Sequence, residues 1–304
     1  MAKILVNDGI SKQGEQILRD GGHEVEMTKV EQDNLLAELP NFDAILVRSA
    51  TKVRTEHIDA SPNLKLIGRG GVGLDNIDVD HAKSKGIEVV NTPAASSDSV
   101  AELVLTHMFN LARFGHAANV TLRKSEWNKK QYKGIELAGR TLGIIGFGRI
   151  GQSLGRKAVA LGMKVVAYDV VDVKVDYDAT ITKSMDDVLA AADFVSVHVP
   201  NKNFLEMKAE HFNKMKDGAY IINCARGGVL NEADLLAALN SGKLAGAGLD
   251  TYDNEPTPNA DLLNHPNVSC TPHIGAATTD AQGRVGLELA TKVVNFFAGK
   301  GAVA

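Results

Sequence analysis

The chain has 304 residues, of which 44% are hydrophobic and 23% are charged, and its formal net charge at pH 7 is -4. A chain of this length can bury a sizeable core, and it forms one or two domains. The negative net charge, without any run of like charges, argues against nucleic acid as an obligate partner. The two cysteines, Cys224 and Cys270, do not suggest a disulfide framework.

The sequence also bears on localisation. No apolar run approaches the roughly 18 residues that a membrane span needs. The first residues, MAKILVNDG, lead directly into a predicted strand and lack the basic and apolar regions of a signal peptide. We therefore expect a cytoplasmic protein that has no membrane partner.

Residues 1–92 alternate short apolar runs with helical stretches. The predicted strands cover 4–6, 25–27, 43–48, 65–67 and 87–90. Five strands alternating with helices imply a parallel sheet that is covered on both faces, and such sheets bind ligands beyond the carboxyl ends of their strands. Arg48 and Ser49 stand at one such end, and Arg69 and Gly70 stand at another. Two arginines there can bind an anion or be ordinary solvated charges, and the residues alone leave both interpretations open.

Apolar residues recur at helical spacing from Asp98 to Gly115, which predicts a long helix. Pro93 ends the preceding strand. We expect this helix to mark the crossing from a first domain to a second. His107 and His116, in or beside the helix, are interpreted as polar-face or packing residues without a functional role.

Residues 141–169 have the pattern of strand, tight turn, helix and strand. Gly146, Gly148 and Gly151 show the spacing G-x-G-x-x-G, in which the glycines allow a sharp turn, a close approach to a pyrophosphate and close helix–strand packing. The helix N-terminus presents free N–H groups and the positive end of its dipole to phosphates. Asp169 ends the second strand, where a carboxylate accepts hydrogen bonds from both adenosine ribose hydroxyls of NAD. This stretch predicts an NAD site.

The same glycine spacing occurs a second time, at Gly68, Gly70 and Gly73. The next strand-like run ends in Asn91 and not in an acid, and the segment between them is short and poorly apolar. We interpret this second motif as a tight loop that brings backbone close to a ligand.

Strand–helix alternation continues beyond the NAD motif. The predicted strands are 194–199, 219–223, 245–249 and 268–270, the predicted helices start after Ser184 and Asn231, and a last amphipathic helix covers 279–297. That last helix can return to the first domain and make it discontinuous. The predicted fold is α/β with two doubly wound parallel-sheet domains. A Rossmann NAD-binding domain (96–279) is inserted in a flavodoxin-like substrate-binding domain (1–95 and 280–304).

Three polar residues follow predicted strand ends in the second domain: Arg226, Glu255 and His273. Together they supply what hydride transfer at an alcohol or ketone carbon needs. Arg226 offers a planar fork for a substrate carboxylate. A histidine can move a proton near neutral pH, and Glu255 can orient the His273 imidazole and favour its protonated form.

Four sequence blocks resemble the D-isomer-specific 2-hydroxyacid dehydrogenases, and the resemblance extends over essentially the whole chain. The blocks are GIIGFGRIG at 143–151 with Asp169, NCARGGV at 223–229, LDTYDNEP at 249–256 and TPHIGA at 271–276. The resemblance implies that Arg226 binds substrate, that His273 is the acid/base and that Glu255 supports it. The implied NAD contacts, beyond the three glycines, are Arg149, Ile150, Asp169, His198, Pro200, Cys224, Asp250, His273, Ile274, Gly275 and Ala276.

The N-terminal part is most similar to the members of that family that oxidise 3-phosphoglycerate. The matching blocks are LVRSATKV at 46–53, GRGGVGLDNID at 68–78 and NTP at 91–93. The likeness implies that Arg48, Ser49, Arg69 and Gly70 hold a phosphorylated 2-hydroxy acid together with Arg226 and His273. The expected reaction is NAD-dependent oxidation of 3-phospho-D-glycerate to 3-phosphohydroxypyruvate, the first step of L-serine synthesis.

Two alternatives remain open at this point. One is a glyoxylate or hydroxypyruvate reductase, or another D-2-hydroxyacid dehydrogenase. The other belongs to a different class, an NAD(H)-sensing protein that resembles a corepressor, although such a protein would need only the cofactor half of the site.

Further expectations concern the cofactor, the assembly and the chain's departures from the family. Val170 and Val171 after Asp169 favour NAD over NADP, because a carboxylate repels a 2′-phosphate and no arginine follows it. The family resemblance implies a homodimer built on the nucleotide-binding domains and no bound metal. Segment 200–212 looks shortened, which leaves the contacts around Asn201 open. The chain stops soon after the last predicted helix, so we expect no C-terminal regulatory domain and no serine feedback through one.

Overall fold

The computed structural model describes residues 1–301, which form two compact units. The first unit comprises residues 1–96 together with the chain from 276 onward, and the second is Ser97–Gly275. Each unit contains one parallel sheet flanked by helices. The predicted α/β class with two parallel sheets is confirmed.

The first unit has a five-stranded parallel sheet in the order β2-β1-β3-β4-β5. Its strands are β1 Lys3–Val6, β2 Glu24–Glu26, β3 Ala44–Val47, β4 Leu66–Arg69 and β5 Glu88–Asn91. Its helices are α1 Lys12–Asp20, α2 Gln32–Glu38, α3 Thr55–Asp59, α4 Val79–Ser84 and, from the end of the chain, α12 Thr279–Phe297, with a 3₁₀ turn at Leu39–Asn41. This strand order is the flavodoxin-like one, whose topological switch point lies between β1 and β3.

Helices cover both faces of this sheet, so its central strands are apolar throughout. All four residues of β3 are buried. On one face α12 lies very close to α1, because a Cβ on Gly14 would stand 2.7 Å from the carbonyl oxygen of Gly286. Small residues on both helices therefore let the last helix pack against the N-terminal part of the chain.

The second unit has a seven-stranded parallel sheet in the order β12-β11-β10-β9-β6-β7-β8. Its strands are β6 Thr141–Ile145, β7 Lys164–Tyr168, β8 Thr180–Thr182, β9 Phe194–Val197, β10 Ala219–Asn223, β11 Leu244–Leu249 and β12 Val268–Cys270. Its helices are α5 Ser97–Arg113, α6 Gly115–Arg123, α7 Arg149–Ala160, α8 Met185–Ala191, α9 Ala209–Lys214, α10 Glu232–Asn240 and α11 Ala260–Leu263, with a 3₁₀ turn at Lys129–Gln131. The strand order reverses direction between β6 and β9, which is the switch point of this sheet.

The predicted strands and the long predicted helices are confirmed, with shifts of one or two residues at most ends. The predicted 98–115 helix ends at Arg113, because Phe114 takes the left-handed conformation with φ 56°. Four helices and strands were not foreseen: β8, α6, α9 and α11. β8 and α6 bury no residue, so they carry no apolar periodicity that a sequence pattern can reveal.

Two further properties concern the described part of the chain. Within residues 1–301 no helix is both long and apolar enough to cross a membrane. Over the same residues, no group of three or more His, Cys, Asp or Glu side chains is placed to hold a metal ion.

Candidate active site

The three glycines of the turn after β6 differ in how much space surrounds them. Gly146 has φ 87°, and a Cβ there would stand 2.5 Å from the carbonyl oxygen of His198. A Cβ on Gly151 would stand 2.6 Å from the carbonyl oxygen of Gly146. A Cβ on Gly148 would meet no atom within 4 Å. Packing therefore requires the first and third glycines, whereas the second faces open space.

The surroundings of Gly148 fit a dinucleotide. Helix α7 begins at the next residue, and Gly148 as its N-cap offers no side chain to accept the first free N–H groups. Those groups and the helix dipole favour an anion beside the turn. The Nδ1 atom of His198, which follows β9, is buried without a hydrogen-bond partner among the described residues. The open space at Gly148 and the free N–H groups of α7 suit a bound anion such as a pyrophosphate.

Asp169 lies beside the same turn, directly after β7. Its Oδ2 atom accepts a hydrogen bond from the Phe147 backbone N–H at 2.6 Å, and its Oδ1 atom accepts one from the Val171 N–H at 3.1 Å. Backbone amides on both sides thus fix this carboxylate next to the turn.

The second glycine motif has a different structure. A Cβ on Gly68 would stand 2.6 Å from Cδ2 of Leu46, so this glycine is required by packing inside the first unit. No helix begins at the turn, since α4 starts only at Val79. It therefore lacks the helix N-terminus that adjoins the first motif and that favours phosphate.

His273 and Glu255 form a hydrogen-bonded pair beyond β12 and β11. The Nδ1 atom of His273 lies 2.8 Å from Oε2 of Glu255, and the other carboxylate oxygen accepts the Tyr252 N–H at 3.1 Å. A carboxylate only accepts hydrogen bonds, so Nδ1 carries the proton, and in the neutral ring Nε2 keeps its lone pair. The side chains are 44% and 36% exposed, so a small molecule can reach the imidazole.

The backbone at His273 is held in an uncommon conformation. Its φ is 54°, in the left-handed region that non-glycine residues seldom adopt. The two following N–H groups, of Ile274 and Gly275, both donate to Asp250 at 2.8 Å. Asp250 is 1% exposed. The sequence assigned Asp250 to NAD, and the structure places its two oxygens on the loop that carries His273.

Arg226 belongs to the loop that follows β10. Asn223 shapes this loop, because its side chain accepts the Ala225 N–H at 3.0 Å and donates to the Arg226 carbonyl oxygen at 2.8 Å. At Gly227 a Cβ would stand only 1.9 Å from the carbonyl oxygen of Tyr252. The arginine loop and the loop that leads to Glu255 are therefore in contact, and only glycine fits where they meet.

Two other predicted NAD contacts are electrically neutral groups. Burial raises the pKa of the Cys224 thiol, and the negative charge of Asp250 raises it further, so this thiol is no nucleophile. Burial lowers the pKa of His198 to about 4, although the residue as a whole is only half-buried. Its Nε2 atom lies 2.9 Å from the Ser196 hydroxyl.

The candidate residues of the second unit follow one another along the carboxyl edge of its sheet. From β7 to β12 the order is Asp169, the glycine turn, His198 with Pro200, Cys224 with Arg226, Asp250 with Glu255, and His273 with Ile274 and Gly275. Five strand spacings separate the two ends, roughly 24 Å. The Asp169 carboxylate and the glycine turn follow the neighbouring strands β7 and β6, and the pair of His273 and Glu255 lies at the far end of this edge.

Segment 200–212, which the sequence comparison with the family predicts to be shortened, is attached to the chain after β10. Met207 forms a bridge with Leu230, and its N–H donates to the Val229 carbonyl oxygen at 2.8 Å. Ahead of this bridge Phe204 is 69% exposed.

In the first unit, Arg48 follows β3 at the switch point of the sheet. Its N–H donates to Asp8 at 2.6 Å, and the same carboxylate accepts the Thr51 hydroxyl at 2.6 Å. Asn76 donates to the carbonyl oxygens of Arg48 and Thr51 at 2.8 and 2.7 Å. The sequence interpretation missed Asp8 and Asn76. Asp8 could have been found by the strand-end rule, because it follows β1 across the switch point.

Arg69 lies on the neighbouring strand, where it pairs with Val47. The N–H of Gly70 donates to the Val47 carbonyl oxygen at 2.8 Å, and a Cβ on Gly70 would stand 3.5 Å from Cγ of Arg48. The structure therefore brings the two arginine-bearing strand ends together. Arg48 is half-buried, and Ser49 beside it is exposed.

Comparison with known proteins identifies the family. Residues 105–275 match the family model described as D-isomer specific 2-hydroxyacid dehydrogenase, NAD binding domain. The chain is also 45% identical to the hydroxypyruvate reductase of Thermotoga maritima over 298 residues, which cover 96% of this chain and 97% of that protein. The chain belongs to the D-isomer-specific 2-hydroxyacid dehydrogenases. The predicted family and the predicted NAD-binding domain are thereby confirmed.

Other members of the family also resemble this dehydrogenase. It is 42% identical to the D-3-phosphoglycerate dehydrogenase of Archaeoglobus fulgidus over 303 residues, which are 98% of this chain and 58% of that protein. The solved NADPH-dependent glyoxylate/hydroxypyruvate reductase of Sinorhizobium meliloti superposes with a TM-score of 0.88 at 28% identity, covering 100% of this chain and 97% of that one. These relatives share oxidoreductase chemistry and differ in substrate.

Proposed function

We propose that this dehydrogenase oxidises 3-phospho-D-glycerate to 3-phosphohydroxypyruvate with NAD, as the first step of L-serine synthesis in the cytoplasm. The observation that carries the proposal is the position of Arg48 at the switch point of the first sheet, beside the strand end of Arg69. Guanidinium groups bind phosphate through paired hydrogen bonds. A substrate that has a carboxylate and no phosphate needs fewer guanidinium groups, because Arg226 alone already provides one for the carboxylate.

The acid/base step is assigned to His273. During oxidation its Nε2 accepts the proton of the substrate hydroxyl, because Glu255 holds Nδ1 in its protonated form. The same carboxylate then stabilises the imidazolium that results. Arg226 binds the substrate carboxylate and polarises the neighbouring carbon–oxygen bond.

The cofactor is assigned to the second unit. The glycine turn and the first turn of α7 would hold its pyrophosphate, and Asp169 would hold the adenosine ribose. When bound, NAD supplies the hydride acceptor. Two backbone amides fix the Asp169 carboxylate, which opposes a 2′-phosphate, so NAD is the proposed cofactor in preference to NADP.

We also propose that the enzyme is a homodimer built on the second unit. Helix α6 buries none of its residues, and the chain around it exposes Phe109 at 43%, Leu122 at 56% and Trp127 at 81%. Exposed apolar groups gathered in one part of the chain mark an interaction surface. Light scattering should give a mass near twice 32.4 kDa, and Trp127→Asp with Leu122→Asp should lower it to that of one chain. A single-chain mass for the unmodified protein would contradict the proposal.

A hydroxypyruvate reductase is the second candidate. It is favoured by the higher identity to the Thermotoga maritima reductase, 45% against 42% for the Archaeoglobus fulgidus phosphoglycerate dehydrogenase. The hydrogen-bonded pair of His273 and Glu255 disfavours the corepressor-like alternative, since a sensor has no use for an acid/base.

A panel of substrates separates these functions. Reduced cofactor is followed by absorbance with 3-phospho-D-glycerate or D-glycerate and either NAD or NADP, and in reverse with hydroxypyruvate, glyoxylate or 3-phosphohydroxypyruvate. The proposal expects the highest kcat/KM for the phosphorylated pair with NAD. A higher kcat/KM for hydroxypyruvate than for 3-phosphohydroxypyruvate would establish the reductase, and no turnover of any of them would favour the sensor.

A further inference from the structure

Helix α5 carries one buried histidine very close to the sheet of the second unit. His107 has no exposed surface. It approaches β11 closely because that strand has glycine at 248, where a Cβ would stand 2.7 Å from Cβ of His107. At Gly246 a Cβ would likewise stand 2.9 Å from the Leu111 side chain. The sequence interpretation had treated His107 as a packing residue.

Both nitrogens of the His107 ring have hydroxyl partners on the chain that leads to His273. Nδ1 lies 2.9 Å from Oγ of Ser269, and Nε2 lies 3.1 Å from Oγ1 of Thr271. Thr271 in turn donates to Oδ1 of Asp250 at 2.6 Å. His107 is thus joined to the buried carboxylate through a single threonine hydroxyl.

The direction of each hydrogen bond between Ser269, His107, Thr271 and Asp250 follows from counting the protons that each group can donate. The carboxylate of Asp250 only accepts, so Thr271 gives it the one proton of its hydroxyl. The threonine oxygen must then accept from His107, which places a proton on Nε2. Burial lowers the pKa of His107, which keeps the ring neutral, so Nδ1 accepts from the Ser269 hydroxyl. Only the Nε2 side leads onward to Asp250.

Asp250 connects this hydrogen-bond chain to the backbone beside the proposed acid/base, His273. Its oxygens hold the N–H groups of Ile274 and Gly275, the two residues that follow His273. The left-handed conformation of His273 needs such external support, because it costs on the order of 1 kcal/mol for a residue with a side chain.

We propose that His107 is a positioning residue for the reaction. Its Nε2–H, acting through Thr271 and Asp250, holds the 271–276 loop in the conformation that presents the His273 imidazole. The inference rests on the proposed acid/base role of His273. It assigns a supporting role in proton transfer to a residue that lies 166 positions earlier in the chain.

The two amide variants of His107 form a matched pair for testing this role. In His107→Gln the amide nitrogen stands as many bonds from Cβ as Nε2 does, so it can still donate to Thr271. In His107→Asn the amide stands where Nδ1 was, so it can reach only Ser269. Each variant loses one hydrogen bond, and only the second loses the bond that leads to Asp250. Thr271→Val and Ser269→Ala remove the same two links from the other side.

The first measurement is hydrogen–deuterium exchange of the 271–276 peptide in the cofactor-free protein. Exchange at Ile274 and Gly275 should be about 10-fold faster in His107→Asn and in Thr271→Val, because each variant breaks the buried hydrogen-bond chain that supports the Asp250 carboxylate. It should stay near wild type in His107→Gln and in Ser269→Ala. Equal exchange in His107→Gln and His107→Asn would overturn the proposal and leave His107 a packing residue.

The second measurement is steady-state kinetics of the same variants. We expect kcat to fall about 10-fold in His107→Asn, with the hydroxy-acid KM within about 2-fold of wild type and with kcat restored in His107→Gln. Unchanged kcat in a variant whose loop exchanges faster would overturn the link to His273. If wild type turned over no hydroxy acid, the proposed function would fail, while the exchange pattern would still decide whether His107 holds the loop.

Discussion

At the scale of single residues, the contact between Glu255 and His273 is the most consequential, because it decides which ring nitrogen faces a substrate. His273→Ala should lower kcat by about 10²–10⁴, the usual contribution of general acid–base catalysis. Glu255→Gln should lower it less, because a glutamine oxygen can still accept from Nδ1 but carries no charge. Steady-state kinetics check both values, with Lys83→Ala, an exposed residue of α4 in the first unit, as the control. Activity in His273→Ala within 3-fold of the control, on the order of measurement scatter between variants, would reject the assignment.

His198 makes the stability of the enzyme depend on acidity. Its folded pKa of about 4 lies below the ordinary value of 6.5, so between these pH values the unfolded chain binds the extra proton. The free energy of unfolding should therefore fall as pH decreases from 6.5 to 4, by up to about 3 kcal/mol from this residue.

Denaturant unfolding at several pH values measures that slope. His198→Gln, which keeps a polar atom near Ser196 and cannot take up the proton, should flatten it, and Lys83→Gln on the surface of the first unit should not. If both variants kept the slope of wild type, the protonation of other groups would be its cause.

At the scale of elements, the glycine turn offers a matched comparison. Gly148→Ala should leave the melting temperature nearly unchanged, since its Cβ meets no atom, yet it should weaken NADH binding by at least about 10-fold because the methyl enters the proposed pyrophosphate space. Gly151→Ala should instead destabilise the fold by about 1–3 kcal/mol, because its Cβ would press on the Gly146 carbonyl oxygen. Calorimetry and NADH fluorescence titration check the pair. Wild-type NADH affinity in Gly148→Ala would place the cofactor elsewhere.

The elements that position the site were largely predictable from the sequence, and the reason is local. A buried parallel strand is a short apolar run, and strand ends carry the polar residues, so Arg48, Arg226 and His273 could be assigned to strand ends by reading along the chain. The second glycine motif, which begins at Gly68, could be rejected as a cofactor site in the same way, because no acid ends the strand that follows it.

The residues that hold these site residues in place could not be predicted, because they form hydrogen bonds with parts of the chain that are distant in sequence. Asp8 holds a loop 40 residues later, and His107 contacts hydroxyl groups 162 and 164 residues away. Such pairings depend on strand order and on which glycines let a helix approach, and neither leaves a periodic signal. Asp250 shows the same limit, because family resemblance assigned it to NAD and only the structure revealed its hold on Ile274.

At the scale of the whole molecule, each unit has its own sheet and its own switch point. In the second unit the switch lies beside the glycine turn and is suited to a dinucleotide. In the first unit it lies between β1 and β3, where Asp8 and Asn76 hold the loop of Arg48. One chain thus combines the proposed cofactor site with a proposed second strand-end site for an anion, and the substrate proposal depends on the second.

The most direct test compares kcat/KM for 3-phospho-D-glycerate and D-glycerate in wild type and in Arg48→Gln. Wild type should prefer the phosphorylated substrate, and Arg48→Gln should lower its kcat/KM by about 10–100-fold while changing that of D-glycerate by less than about 2-fold, because a charge-assisted hydrogen bond contributes about 1.5–3 kcal/mol. Lys52→Gln, an exposed cation in the same loop, serves as the control. Equal kcat/KM values for the two substrates in wild type would contradict phosphoglycerate as the substrate.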